Sequence, residues 1–333
     1  MKYGEKVQPL FIIMSAIAGV LLGIYTGFGS WSSSLIEPFL VAMLFFVFLS
    51  VDIKRLKESF LNVKFTSWAL IINFVWTPLF AVVLGMVFFA GSIDIQIGIL
   101  MLLVTPCTDW YLVFTSLSKG NIPLSSSILP LNLVLQILLL PFYLFLFIGE
   151  KINFEPASMF TGLVAILLIP ILLSVVLKQL ACKVKAVETA RERLTAKSDD
   201  IQLAFLCLAI VSMFSSEGGV LAENLSVLLM MILPMLIFFA VNYGISSIVS
   251  RGAHLSFDDS TSLIFTTMAR NSPLSLAIAV AIFPNNPLIL LILIVGPLIE
   301  LPILSLTSHV RLRLRERNED LSNTERFQRT EKL

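Results

Sequence analysis

The sequence predicts an all-α polytopic membrane protein, and three observations carry that prediction. Of the 333 residues, 57% are hydrophobic and only 14% charged, with a mean hydropathy of +0.93. A soluble domain carries about 25% charge, so this composition could not clothe a globular surface in polar groups. The apolar residues come in runs near the length of about 20 that crosses a bilayer as a helix. Basic residues gather in alternate gaps between those runs. A net charge of +1 offers no basic face to nucleic acid, and the three scattered cysteines (Cys107, Cys182, Cys207) offer no disulfide framework or metal knuckle. His254 and His309 are isolated. A soluble enzyme, a nucleic-acid binder and a secreted scaffold are excluded on these grounds.

In order, the predicted spans cover residues 8–28, 35–51, 63–90, 94–117, 122–148, 157–180, 199–217, 224–249, 260–283 and 286–308. The first follows Lys2 and Lys6, is too long and lacks a small-residue cleavage site, so it reads as a retained span and not a signal peptide. Gly19, Gly23 and Gly27 recur at spacing four on it, a surface for close helix contact. Glu37 beside Pro38 reads as structural. Asn73, Thr77 and Pro78 in the third span, Asn132 and Gln136 in the fifth and Asn242 in the eighth are residues that bond between helices, with Ser125 and Asn132 the best candidates for a part in the site. Cys182 to Lys197 reads as a basic, solvated linker, and Arg311 to Leu333 as a mixed-charge tail, helical or disordered, at the membrane surface.

Charge tests the count. With both termini in the cytoplasm, all but two of the 23 basic residues fall in cytoplasmic loops or the tail, the exceptions being Lys151 outside and Arg270 within a span. An odd error in the number of spans would scramble this alternation. Ten spans divide into two sets of five, and because five is odd the second set enters the membrane upside down, the plan of an inverted-repeat transporter. The expected organisation is one transporter unit over residues 1–333, with a first repeat in 1–150, a second in 151–310 and a cytoplasmic tail in 311–333, in the plasma (inner) membrane. The fourth span is interrupted by Thr105-Pro106-Cys107-Thr108-Asp109 and its counterpart, the ninth, by Arg270-Asn271-Ser272-Pro273. Backbone groups freed by such breaks are costly in lipid unless they line a cavity or bind something, so paired breaks point to a substrate site.

Several motifs resemble the bile acid:sodium symporter superfamily. They are Pro106-Cys107-Thr108, then Ser116 to Asn121, Asn271-Ser272 with Leu276 to Ala281, and Gly296-Pro297-Leu298-Ile299-Glu300-Leu301-Pro302. The first and last look most like the arsenical-resistance branch of arsenite efflux permeases. The resemblance implies a panel of the first, second, sixth and seventh helices and a core of the others, with helices four and nine crossing at unwound centres. Sodium-coupled relatives carry an acidic residue and a glutamine where this chain has Thr266 and Arg270, and a Ser-Asn pair where it has Tyr111 and Leu112. Ser125 still matches a sodium-site serine. The balance argues against sodium and for a proton as coupling ion. Arsenite permeases carry a glutamate where this chain has Ser275.

The residues in and near the breaks carry the chemistry. Cys107 could bind a soft, neutral hydroxylated metalloid reversibly, or could simply pack as a small apolar residue. Asp109 and Arg270 are expected to pair, since each alone is expensive in the bilayer. Three readings of that pair stay open: a proton-linked reset through Asp109, a static staple, or Arg270 as the seat of an anionic substrate. If the helices cross, Arg270 lies near where relatives hold sodium and acts as a built-in cation. Glu300, between Pro297 and Pro302, is either a proton carrier or a capped structural carboxylate. Thr108, Asn271 and Ser272 complete the expected binding set, with Ser125, Asn132 and Ser275 as accessories. No nucleotide loop, catalytic triad or metal-ligand spacing is present, Gly218-Gly219 and Gly120-Asn121 being turn signals, so no cofactor is expected. The leading expectation is proton-coupled efflux of arsenite or antimonite. The alternatives are an organic-anion symporter using Arg270 and a non-transporting membrane sensor. The expected partners are a small-molecule or metalloid substrate and membrane lipids, with no nucleic acid.

Overall fold

The computed structural model describes residues 8–26, 29–50, 61–108, 110–149, 156–216, 225–283 and 286–330. Everything regular in it is helical. The helices are α1 (Gln8–Tyr25), α2 (Gly29–Ser50), α3 (Val63–Ile71), α4 (Thr77–Phe89), α5 (Ile93–Val104), α6 (Trp110–Leu117) and α7 (Ile122–Ile148). They continue as α8 (Pro156–Ala181), α9 (Lys185–Ala196), α10 (Ser198–Ser216), α11 (Leu225–Gly252), α12 (Phe257–Met268), α13 (Ser272–Ile282) and α14 (Pro287–Thr330).

Among the described residues, five helical stretches are long and apolar enough to cross a bilayer unaided: Trp31–Ser50, Val63–Phe89, Ile122–Phe147, Leu229–Gly252 and Pro287–Arg317. Lys185–Ala196 and Asp200–Ser216 form a further pair bent by 63°. Ile93–Val104 and Ser272–Ile282 are equally apolar but short, because each is one half of an interrupted run. The protein is thus an all-helical, polytopic membrane protein.

Prolines shape the helices, and side chains repair what the prolines expose. Between α3 and α4 the chain widens into a π-helical turn, Ile72–Trp76, just before Pro78. Pro78 has no N–H to give to the carbonyl four residues earlier, that of Phe74, and the Tyr143 hydroxyl donates to it at 2.6 Å. Pro297 in α14 likewise leaves the Leu293 carbonyl without its helical donor, and the Ser272 hydroxyl donates there.

The helices sort into two groups. α1, α2, α8 and α10 pack mainly on one another, with α9 against α8, and α3 to α7 with α11 to α14 form the rest; α13 touches both α2 and α8. Gly19 and Gly23 explain the close seat of α1 on α10: a Cβ at Gly19 would lie 2.7 Å from the Val211 carbonyl oxygen, and one at Gly23 would meet the backbone of Ser215. Gly27 lies outside the described residues, as does the side chain of Glu37.

α9, where the sequence places a solvated linker, buries none of its residues. At the other end of the molecule the helical one of the two expected forms of the tail is found. α14 runs unbroken past residue 311, and Arg311, read from the sequence as the first residue of a surface tail, is buried. Its guanidinium donates to Thr261 Oγ1 at 2.7 Å and to the Phe257 carbonyl at 3.1 Å and lies 4.0 Å from the centre of the Phe257 ring. One turn on, Arg315 pairs with Asp258 at 2.7 Å and donates to the Lys119 carbonyl at 2.6 Å. These two arginines are therefore tethers to the start of α12 and to the turn before α7.

Candidate functional site

The first break begins where stereochemistry requires it. Thr105 precedes a proline and is driven to extended geometry (φ −104°, ψ 100°), so α5 stops at Val104. The second begins at Ala269, also extended (φ −72°, ψ 140°), and ends at Asn271, whose side chain caps α13 by accepting from Leu274 N–H at 3.2 Å while Pro273 sits in the first turn. The two extended stretches meet as an antiparallel bridge between Pro106 and Arg270. Cys107 N–H donates to the Ala269 carbonyl at 3.0 Å and Asn271 N–H to the Thr105 carbonyl at 2.7 Å. Backbone groups that no helix satisfies thus satisfy each other.

The exposed helix ends are closed by side chains. A helix leaves its last four carbonyls without donors. At the end of α12, Phe265 receives Ala269 N–H at 3.1 Å, Thr266 receives Asn73 Nδ2 at 3.2 Å, Thr267 receives Asn242 Nδ2 at 3.1 Å, and Met268 receives Arg270 Nε at 3.1 Å. At the end of α5, the Met101 carbonyl receives the Ser275 hydroxyl at 2.9 Å and the Thr105 hydroxyl at 3.1 Å, and Leu103 receives Arg270 Nη1 at 2.8 Å. The Thr105 and Ser275 hydroxyls lie 2.7 Å apart, so either can instead donate to the other.

Arg270 is the centre of this arrangement. It is 1% exposed. Four of the five N–H groups of its guanidinium reach the carbonyls of Met268, Leu103 and Thr267 and the Oδ1 of Asn73 (3.2 Å). The Phe238 ring covers it with its centroid 5.2 Å away. The Arg270 backbone N–H points elsewhere and donates to Glu300 Oε1 at 2.8 Å. Glu300 is fully buried, and its Oε2 has no hydrogen-bond partner among the described residues.

The crossing brings together Cys107, Thr108, Arg270, Asn271, Ser272 and Ser275, with Glu300 beside them. Asn271 Nδ2 donates to Thr108 Oγ1 at 3.2 Å. Asp109, the expected partner of Arg270, lies outside the described residues. Cys107 is buried at 6% exposure, and the cavity nearest Ser272 and Pro273, bounded by Leu206 and Ile210 of α10, measures about 10 Å³, near the lower limit for one water. Ser125 and Asn132 are fully buried on α7; Ser125 Oγ and both amide atoms of Asn132 and Gln136 have no partner among the described residues. Residues 125, 132 and 136 share one helical face. Asn73, Asn242 and Phe238 were not in the expected site: the first two are legible as polar residues in apolar runs, whereas Phe238 gives no signal in so phenylalanine-rich a chain. Among the described residues no cluster of histidine, cysteine and acidic side chains could hold a metal ion.

Comparison with known proteins decides the family. The model of the sodium bile acid symporter family matches residues 37–224. The chain belongs to that family. It is accordingly a secondary transporter and not an enzyme. Three relatives of this sodium bile acid symporter family member span nearly its whole length. The arsenical-resistance protein Acr3 of Corynebacterium glutamicum is 23% identical over 319 residues, covering 90% of this chain and 86% of the relative. The uncharacterized protein YbaS of Bacillus subtilis is 25% identical over 283 residues, covering 84% and 89%. An uncharacterized transporter of Synechocystis is 20% identical over 330 residues, covering 90% and 86%.

Proposed function

We propose that this carrier expels arsenite or antimonite across the plasma membrane in exchange for protons. In this reading ten spans form two inverted five-helix repeats, residues 1–150 and 151–310, with both termini cytoplasmic. α1, α2, α8 and α10 form a panel against which the remaining helices rock. The observation that carries the reading is the joining of Cys107 to the Arg270–Glu300 unit across the two breaks. A trihydroxy metalloid exchanges one hydroxyl for the Cys107 sulfur, releasing water, and the reverse step frees it on the other side; a single thiol holds it loosely enough to let go. In this reading Thr108, Asn271 and Ser272 exchange their present bonds for the remaining hydroxyls, with Ser125, Asn132 and Ser275 as accessory polar groups. Glu300, with one carboxyl oxygen on a backbone N–H and the other without a partner among the described residues, is the seat of the exchanged proton; Asp109 is the alternative carboxylate. The name of the Corynebacterium relative supports the substrate class.

The engagement of Arg270 by four oxygens speaks against the rival in which it grips an organic anion. Arsenite accumulation in arsenite-sensitive bacteria making the wild type, Cys107→Ser or Arg270→Gln at matched levels tests the proposal. The expected result is lower accumulation with the wild type and loss of that protection with Cys107→Ser. Unchanged accumulation in every strain overturns it, and saturable binding without flux in vesicles would instead indicate a sensor.

A further inference from the structure

The surroundings of Arg270 have the composition of a monovalent-cation site. Its guanidinium sits where two half-helices, α5 and α12, end. Both present the C-terminal, negative pole of the helix to it, through the carbonyls of Leu103, Thr267 and Met268. Asn73 Oδ1, held in the π-helical turn before α4, adds a fourth oxygen from a third direction, and the face of Phe238 lies alongside. All four oxygens are uncharged. Such a set suits a singly charged ion, because a divalent one needs carboxylates and a near-complete oxygen shell. Unwound carbonyls and half-helix C-termini are how interrupted membrane helices coordinate a free alkali cation. Among the described residues, the carboxylate bonded to Arg270, that of Glu300, is directed at its backbone N–H and not at the guanidinium.

We infer that Arg270 is a tethered cation filling a carbonyl cage that would otherwise take a free monovalent ion, so that the crossing of the two broken helices is held without sodium, and truncation of Arg270 opens that cage to sodium or guanidinium. The arginine does for this chain what ion binding does for a coupled carrier. It neutralises two converging helix ends and ties Leu103 of α5 to Thr267 and Met268 of α12. Being covalently attached, it cannot dissociate and so cannot supply coupling energy. The inference goes beyond the metalloid reading and does not depend on it, since the cage is present whatever the substrate.

The test is the thermal unfolding of the purified full chain in detergent, at constant ionic strength, with choline replaced stepwise by sodium, lithium, potassium or millimolar guanidinium. The wild type is expected to unfold at the same temperature in all of them. Arg270→Ala is expected to unfold earlier in choline and to recover saturably with sodium or guanidinium, by about 5 °C at a hundredfold excess over Kd. Arg270→Lys, which keeps a tethered charge, is expected to remain insensitive to sodium. Saturable stabilisation of the wild type or of Arg270→Lys by sodium overturns the inference, as does an Arg270→Ala protein that stays monodisperse yet ignores every cation. If Arg270→Ala does not fold, the wild-type and Arg270→Lys arms decide. None of these readouts involves arsenite, so failure here and failure of the proposed efflux are separate results.

Discussion

Two buried polar regions of the same core are bonded very differently. At the crossing of the broken helices, each of the last four carbonyls of α12 has a named donor, and the arginine between them spends four of its N–H groups. On the inner face of α7, Ser125, Asn132 and Gln136 are no less buried, yet Ser125 Oγ and both amides find no partner among the described residues. An unmade bond to a buried polar group costs about 1–3 kcal/mol. The contrast separates a region that polar contacts hold together from one where polarity weakens the described conformation.

The largest effect that sharpens the contrast is expected at Asn73. Asn73→Leu keeps the branched shape, in a bulkier side chain, but removes one oxygen from Arg270 and the donor to the Thr266 carbonyl. A bond to a charged group and a bared carbonyl together predict a loss of about 2–4 kcal/mol, read by unfolding in mixed micelles. A loss below about 0.5 kcal/mol would mean that Arg270 does not need the cage, and would remove the contrast at its stronger end.

The next effects come from the proline repairs and are best read as cycles. Ser272→Ala bares the Leu293 carbonyl that Pro297 leaves without a helical donor, and Tyr143→Phe does the same for Phe74 beneath Pro78. Each is expected to cost about 1 kcal/mol, in the range found for interhelical hydrogen bonds in membranes, of about 0.6 on average and 1.7 at most. Combining Ser272→Ala with Pro297→Ala, or Tyr143→Phe with Pro78→Ala, restores the backbone donor, so the second substitution should return most of that loss. Additive costs would show that the hydroxyls do not serve those carbonyls.

How far the sequence foretells this divides along the same line. The breaks were legible because proline acts locally: Pro106 forces Thr105 out of the helix, and Pro273 opens α13. The glycine stripe of α1 was legible because Gly19 and Gly23 sit at helical spacing. The partners of Arg270 were not. Charge points to Asp109, which lies outside the described residues, whereas the bonds described go to neutral oxygens, and Asn73 is 197 residues away in sequence. Backbone carbonyls are present at every position and leave no mark on the sequence, so a cage built from them can be seen only once the helix ends are placed. Arg311 was hidden for a related reason, since its ring and hydroxyl partners, Phe257 and Thr261, are ordinary residues of another helix.

The smallest effect on stability is the most informative about the second region. Asn132→Leu replaces an amide whose two polar atoms are unpartnered among the described residues by an apolar side chain of the same branching and heavy-atom count. Removing a buried group that makes no bond relieves its desolvation cost, so stability should be unchanged or higher by up to about 1 kcal/mol. Gln136→Leu, one turn on along the same face, should behave alike. Transport should respond in the opposite sense: if Asn132 serves the moving substrate or its accompanying proton, protection against arsenite falls in a protein that unfolds no earlier. A protein that loses more than about 1 kcal/mol instead places Asn132 among the bonded groups of the core, and the two regions are then one. Equal stability with undiminished efflux leaves the α7 amide outside the transport path and narrows that path to the residues of the two breaks.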